Sequence, residues 1–406
     1  MDVLYERCCG LDLHKRTVVA CLVTPDHGRP KKEIRTFATL TKDLLELRDW
    51  LTAAGCTHVA MEGTGVYWKP VYNLLEDQFT LVLANAQHSK AVPGRKTDVR
   101  DCEWIADLLR HGLLRASFVP DREQRELREL TRYRASLVHE HGAEVNRLQK
   151  TLEGANIKLA SVASDVLGAS GRAMLIALAA GEQDPARLAG LTRGSLAQKR
   201  ADLEQALRGR MGAHQRFLLA EQLRHVEALE ASIARVSAEI EERTRPFANA
   251  LQRLDAIPGV GQRTAEVLIA EIGADMSRFP SAAHLASWAA MCPGNHESAG
   301  KRKSGRTRRG SPWLRSALVE AARAAQRTKG TYLGAQYRRL KARQGGKRAA
   351  IAVGHSILIA AYHILGDAQD YADLGEHHWE QAAKRAEHRM VERLRGIGYT
   401  VIEPAA

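Results

Sequence analysis

The chain has 406 residues, with 60 Lys and Arg against 47 Asp and Glu, a net charge of +13 and a pI near 9.6. That length suits two or three domains, and the cationic excess favours nucleic acid over acidic small molecules as the partner. Six cysteines without a CxxC spacing exclude a disulfide framework and a zinc site and read as reduced, packed thiols. No signal-like apolar run opens the sequence, and the apolar stretch 351–365, broken by Gly354, His355 and His363, reads as a buried helix and not a membrane span.

Two β-rich runs over 8–23, separated by His14, Lys15 and Arg16, predict a hairpin, and a third strand follows at 32–39. A helix over 41–55, with Thr41 as its cap, precedes a strand at 57–63, a helix at 66–78 and an apolar strand at 79–86. A basic loop containing Lys96 and Arg100 leads into a helix from about residue 97 to 112. Three strands followed by helix, strand, helix, strand, helix is the ribonuclease H-like α/β plan, expected here for residues 1–120.

Four acids occupy telling places in that plan. Asp12 lies between Leu11 and Leu13 in the first strand, Glu62 ends the strand HVAME, and Asp98 and Asp101 are three apart at a helix start, hence on one face. Carboxylates at strand ends of an α/β sheet can converge where such sheets keep their sites. Gathered together they would repel one another unless a hard cation relieved them, and oxygen donors suit Mg²⁺ or Mn²⁺. Taken singly, each also has a bland reading as a cap, a first-turn acid or an edge residue. Asp107 reads as a solvated helix residue.

Beyond residue 120 the composition turns to long charged helices. Leu127, Leu130, Leu137, Val145, Leu148 and Leu152, and later Val226, Leu229, Ile233, Val236 and Ile240, recur near a heptad. Residues 121–246 therefore read as a coiled coil, antiparallel or between protomers, or as a helical subdomain packed on itself. In 247–406, PGVG with Gly259 and Gly261 sits between two short helical patterns, as in a helix-hairpin-helix whose backbone N–H groups approach phosphate. The stretch 293–315 then sets seven Lys or Arg, among them Lys301, Arg302, Lys303, Arg306, Arg308 and Arg309, against the single acid Glu297. So much charge and glycine cannot bury itself and reads as a nucleic-acid-facing loop. Ser298 lies in it, before the small pair Ala299 and Gly300, and Ser304 and Ser311 share the loop.

The motifs GLDLHK, AMEGTGVYWKPV, KTDVRDCEWIADLL, IPGVGQRTAEVLIAEIG and PGNHESAGKRKSGRTRRGSPWLRSALVEAA, in this order over most of the chain, resemble the DEDD transposases of bacterial insertion sequences, the insertion sequence 110 family. The resemblance implies a RuvC-like domain, a coiled coil and a C-terminal transposase domain. It places the four acids on Asp12, Glu62, Asp98 and Asp101 and a nucleophilic serine on Ser298, although the family often has Ser-Gly where this chain has Ser298-Ala299-Gly300. It further implies a phosphoserine link to DNA assisted by carboxylate-bound Mg²⁺, a structured bridge RNA pairing with donor and target DNA, a homo-oligomer, dimer or tetramer, and a cytoplasmic, nucleoid-associated location in a bacterium. Two other readings of the same residues are a RuvC-type nuclease using water in place of Ser298, and a non-catalytic nucleic-acid scaffold.

Overall fold

The computed structural model describes residues 2–26, 29–63, 65–84, 101–294, 296–298, 300–308 and 310–400. They form two units, Met1–Arg122 and Glu123–Ala406.

In the first unit, alternating apolar residues build a five-stranded mixed sheet of order β3-β2-β1-β4-β5. Strands β1 (Cys8–Leu13), β2 (Thr17–Asp26) and β3 (Arg29–Ala38) form an antiparallel meander. Strands β4 (His58–Glu62) and β5 (Thr80–Ala84) extend it in parallel with β1. Residues two apart face the same side. Cys9, Leu11, Leu13, Val59 and Met61 therefore share one face, covered by α1 (Thr41–Ala53) through Leu44, Leu47 and Leu51 and by α2 (Trp68–Leu75) through Val71 and Leu75. Thr41 is not the cap of α1; the capping position falls on Leu40, which makes no side-chain cap bond.

Cys8, Cys21, Val23 and Ala60 face the other way, against Cys102, Ile105, Ala106 and Leu109 of α3 (Asp101–Arg110). Gly10 lets α3 sit directly on β1: a Cβ there would lie 2.3 Å from the Cys102 carbonyl oxygen and 2.4 Å from the Ala106 nitrogen. The amides of Leu4 and Tyr5, just before β1, donate to the carbonyl of Arg110 at the far end of α3. Helix α3 thus runs opposite to β1 and starts over the strand's C-terminal end. Asp107 is not simply solvated; it accepts from Lys32 of β3 at 2.7 Å.

The second unit opens with α4 (Arg122–Gly154), which pairs with α6 (Ala213–Thr244). Contacts between Glu126 and Arg243 (2.7 Å), His141 and Glu230 (3.4 Å), and Thr151 and Gln222 (3.0 Å) run in opposite chain directions, so the pair is antiparallel and within one chain. At one end Leu148, Leu152, Leu219 and Leu223 join Met174 and Leu175 of α5 (Ala169–Ala180) in a core of their own. At the other, Leu127 and Ile240 belong to a different core. It holds Leu254 of α7 (Ala248–Asp255), Leu268 of α8 (Gln262–Ile272), Leu285 of α9 (Ala282–Trp288), Leu318 of α10 (Pro312–Ala325), Leu333 of α11 (Tyr332–Gln344) and Ile357 of α12 (Gly346–Gly366). The change of composition near residue 246 therefore does not divide two cores.

By length and composition α12 could cross a membrane, yet Ala349, Val353, Ile357, Leu358, Ala361 and Ile364 are spent on this core. Between α9 and α10 stands a two-stranded hairpin, β6 (His296–Ser298) and β7 (Lys301–Ser304). Beyond α12 the amphipathic helix α13 (His378–Gly396) is anchored at its start, where Trp379 lies between Tyr332 and Arg339.

Candidate active site

Pairing in register fixes where the first two acids go. Leu11 pairs with Met61, so Asp12 and Glu62, each one residue further on, lie at the same level of neighbouring parallel strands. Both follow the alternation of Gly10 and Ala60 onto the face covered by α3, at the C-terminal ends of their strands. Asp101 is the first residue of α3, whose start lies over that same end of β1. Three of the four acids thus belong to one end and one face of the sheet, while Asp98 lies outside the described residues.

The field of Asp12 reaches α3. Burial holds the Cys102 thiol above its ordinary pKa, and the Asp12 carboxylate pushes it in the same direction. Asp12 is half-buried, and its Oδ2 lies 3.1 Å from Nε2 of His14. Among the described residues no three His, Cys, Asp or Glu side chains are grouped as a metal cage. Asp12, Glu62 and Asp101 nevertheless offer carboxylate oxygens, the chemistry a hard divalent cation takes. Burial also raises the thiols of this face, Cys8 to about 11 and Cys21 to about 12.

The serine stretch takes a more ordered form than a loop. Ser298 ends β6 and pairs with Lys301 across a two-residue turn, where Gly300 adopts φ +71°. That left-handed conformation favours glycine. Of Ser298, His296, Arg302 and Lys303 the strand positions are described; Arg309, Lys96 and Arg100 lie outside the described residues. Lys301 and Arg306 are exposed. Arg308 is exposed but engaged, its Nη2 donating to the Ser287 carbonyl and hydroxyl oxygens. Ser311 has a structural post: its Oγ caps α10 by accepting from the Leu314 amide and donates to Glu271 at 3.1 Å.

Two family profiles match the chain, one on each of these regions. The profile DEDD_Tnp_IS110, described as Transposase, matches residues 9–157, and the one described as Transposase IS116/IS110/IS902 family matches 251–338. The chain belongs to the IS110 family of transposases. A Pseudomonas aeruginosa relative described as "Probable family 20 transposase" is 29% identical over 322 residues, 78% of this chain and 83% of the relative. The DEDD match implies an RNase H-like fold for the mixed sheet of the first unit.

In this IS110 transposase the two glycines of the PGVG turn have different surroundings. Gly259, at φ +88°, lies against α10, and a Cβ there would come 2.2 Å from the Ala321 carbonyl oxygen. Packing therefore accounts for that glycine. Gly261 is open, with nothing within 4 Å of its Cβ position, and precedes α8. Sequence reasoning also missed four residues around the two regions. His14 stands two residues after Asp12 in GLDLHK, which is a usable local signal. Arg132, Glu271 and Arg315 gave none, because their partners are remote in sequence: Arg132 and Glu271, which pair through two hydrogen bonds of 2.7 and 2.9 Å, are 139 residues apart.

Proposed function

We propose that this transposase cuts DNA by attack of the Ser298 hydroxyl on a backbone phosphate, keeps the 5′ end as a phosphoserine and passes it to the 3′ hydroxyl of a new partner strand. The observation that carries the reading is the common level and face of Asp12 and Glu62, with Asp101 opening the helix above them. Asp12, Glu62, Asp98 and Asp101 would hold Mg²⁺ or Mn²⁺, which supplies charge neutralisation at the phosphate and polarises its oxygens. Serine is a poor nucleophile at its own pKa, so it needs that electrostatic help or a neighbouring base. Lys301, Arg302, Lys303 and Arg306, with Lys96 and Arg100 in the first unit, hold the phosphate backbone without reading sequence. Choice of donor and target DNA then falls to base pairing with a structured RNA encoded by the element, and the working form is a homo-oligomer.

A second reading has one observation in its favour. Asp12, Glu62 and Asp101 all belong to the first unit, so a RuvC-type hydrolysis by water would need nothing from the second. Denaturing electrophoresis separates the two, using the protein with Mg²⁺, DNA spanning the ends of its own element and RNA transcribed from the element's flank. Wild type is expected to give a DNA-linked protein band and Ser298→Ala none. A Ser298→Ala protein that still cleaves at the wild-type rate would establish the water mechanism instead.

A further inference from the structure

The two legs of the hairpin that carries Ser298 are fastened at their base by a set of hydrogen bonds. The upstream leg leaves α9 through Ala290, which holds φ +53°, a left-handed conformation unfavourable to a residue with a Cβ. Its carbonyl oxygen accepts from Nη2 of Arg315, on the first turn of α10, at 2.8 Å. The same Nη2 donates to the carbonyl of Arg308 on the downstream leg at 2.7 Å. One guanidinium therefore joins both legs. Between clamp and tip, Pro293 bridges Thr307 and the Gly294 amide donates to the Arg306 carbonyl at 2.8 Å. Gly310 lets the legs close, since a Cβ there would lie 2.5 Å from the Ala289 carbonyl oxygen.

The foot of the downstream leg is tied deeper. Ser311 donates to Glu271 Oε2, and Arg132 of α4 holds both oxygens of that carboxylate. Glu271 is 1% exposed, so this anion is enclosed and its partners are fixed in direction. None of these side chains lies on the hairpin tip. Their common effect is on where the tip points.

We propose that Arg315 is the positioning residue of the serine hairpin, clamping its two legs, with the Arg132–Glu271–Ser311 relay as the anchor of that clamp. The proposal rests on Ser298 being the attacking group. A tip carried on two strands turns a small change at its base into a larger displacement of the hydroxyl, and misplacement by about 1 Å costs on the order of 100-fold in rate. Lysine in place of Arg315 keeps the charge and can still donate to a carbonyl, but lacks the fixed planar fork.

The test uses the full chain with Mg²⁺, element-end DNA and flank RNA, and follows three readouts. These are the single-turnover rate of the DNA-linked band, DNA affinity, and hydrogen exchange of the amides in 296–304. Arg315→Ala is expected to slow band formation by about 10- to 100-fold and to speed exchange in the hairpin. Arg315→Lys should keep wild-type DNA affinity and recover part of both losses. A wild-type rate in Arg315→Ala, or a slowed rate with hairpin exchange unchanged, overturns the clamp. If Arg315→Ala fails to fold, Arg315→Lys is judged by the same two criteria against wild type. A band that persists in Ser298→Ala sinks the serine reading alone, since the exchange measurement still judges the clamp.

Discussion

The acids and the serine are held by opposite means. Asp12 and Glu62 extend strands whose neighbouring side chains are fully buried, and α3 presses on β1 closely enough to exclude even a methyl group at Gly10. The hairpin of Ser298 takes its direction from hydrogen bonds at its base. The described acids sit on packed sheet and on the helix laid over it, whereas Ser298 sits on an arm whose direction is set by a clamped root.

The sharpest way to break this comparison is to remove charge without disturbing packing. Asp12→Asn is nearly isosteric and is expected to lower Mg²⁺-dependent cleavage on the order of 1000-fold while DNA binding and melting temperature hold. Equal cleavage by this variant would show that the packed site is not the chemical one. Next come the paired glycine substitutions. Gly10→Ala forces a Cβ into two backbone atoms and should cost about 3 kcal/mol of stability. Gly300→Ala meets nothing within 4 Å and should cost only about 1 kcal/mol, the strain of its left-handed φ. Urea unfolding of both proteins gives the ratio, and equal losses would erase the contrast.

The smallest effect is chemical. Cys8, Cys21 and Cys56 have raised pKa values, so at pH 8.5 they remain as thiols, and they are buried besides. The thiolate is the nucleophile, so iodoacetamide should leave all three unmodified in the folded chain and label the partly exposed Cys292, as peptide mass spectrometry would show. Labelling of Cys21 before Cys292 would mean that the first unit opens more readily than its packing implies.

Much of the first unit was legible because alternation with period two is a local signal. Leu11, Asp12 and Leu13 already said that the acid faces away from the apolar pair, and β4 and β5 lie within a residue or two of their expected bounds. The necessity of Gly10 was not legible, since it depends on a helix that starts some ninety residues later. Heptads in α4 and α6 announced a helical pair but not its partner, because the same stripe serves a copy of the chain as well as a later segment. Ser311 followed by Pro312 was a readable helix start, whereas its bond to Glu271 depends on the tertiary fold. The helix beside the PGVG turn was not legible: glycine admits a phosphate and a neighbouring helix equally well, and the sequence does not say that α10 packs on Gly259.

Because α4 departs and α6 returns side by side, Glu126 meeting Arg243, everything beyond that pair is a side branch whose stem closes on itself. Lengthening or trimming the branch by matched turns in both helices would leave the root unchanged while moving its outer cluster by about 1.5 Å for each residue added. The length of the pair therefore sets how far that outer cluster stands from its root.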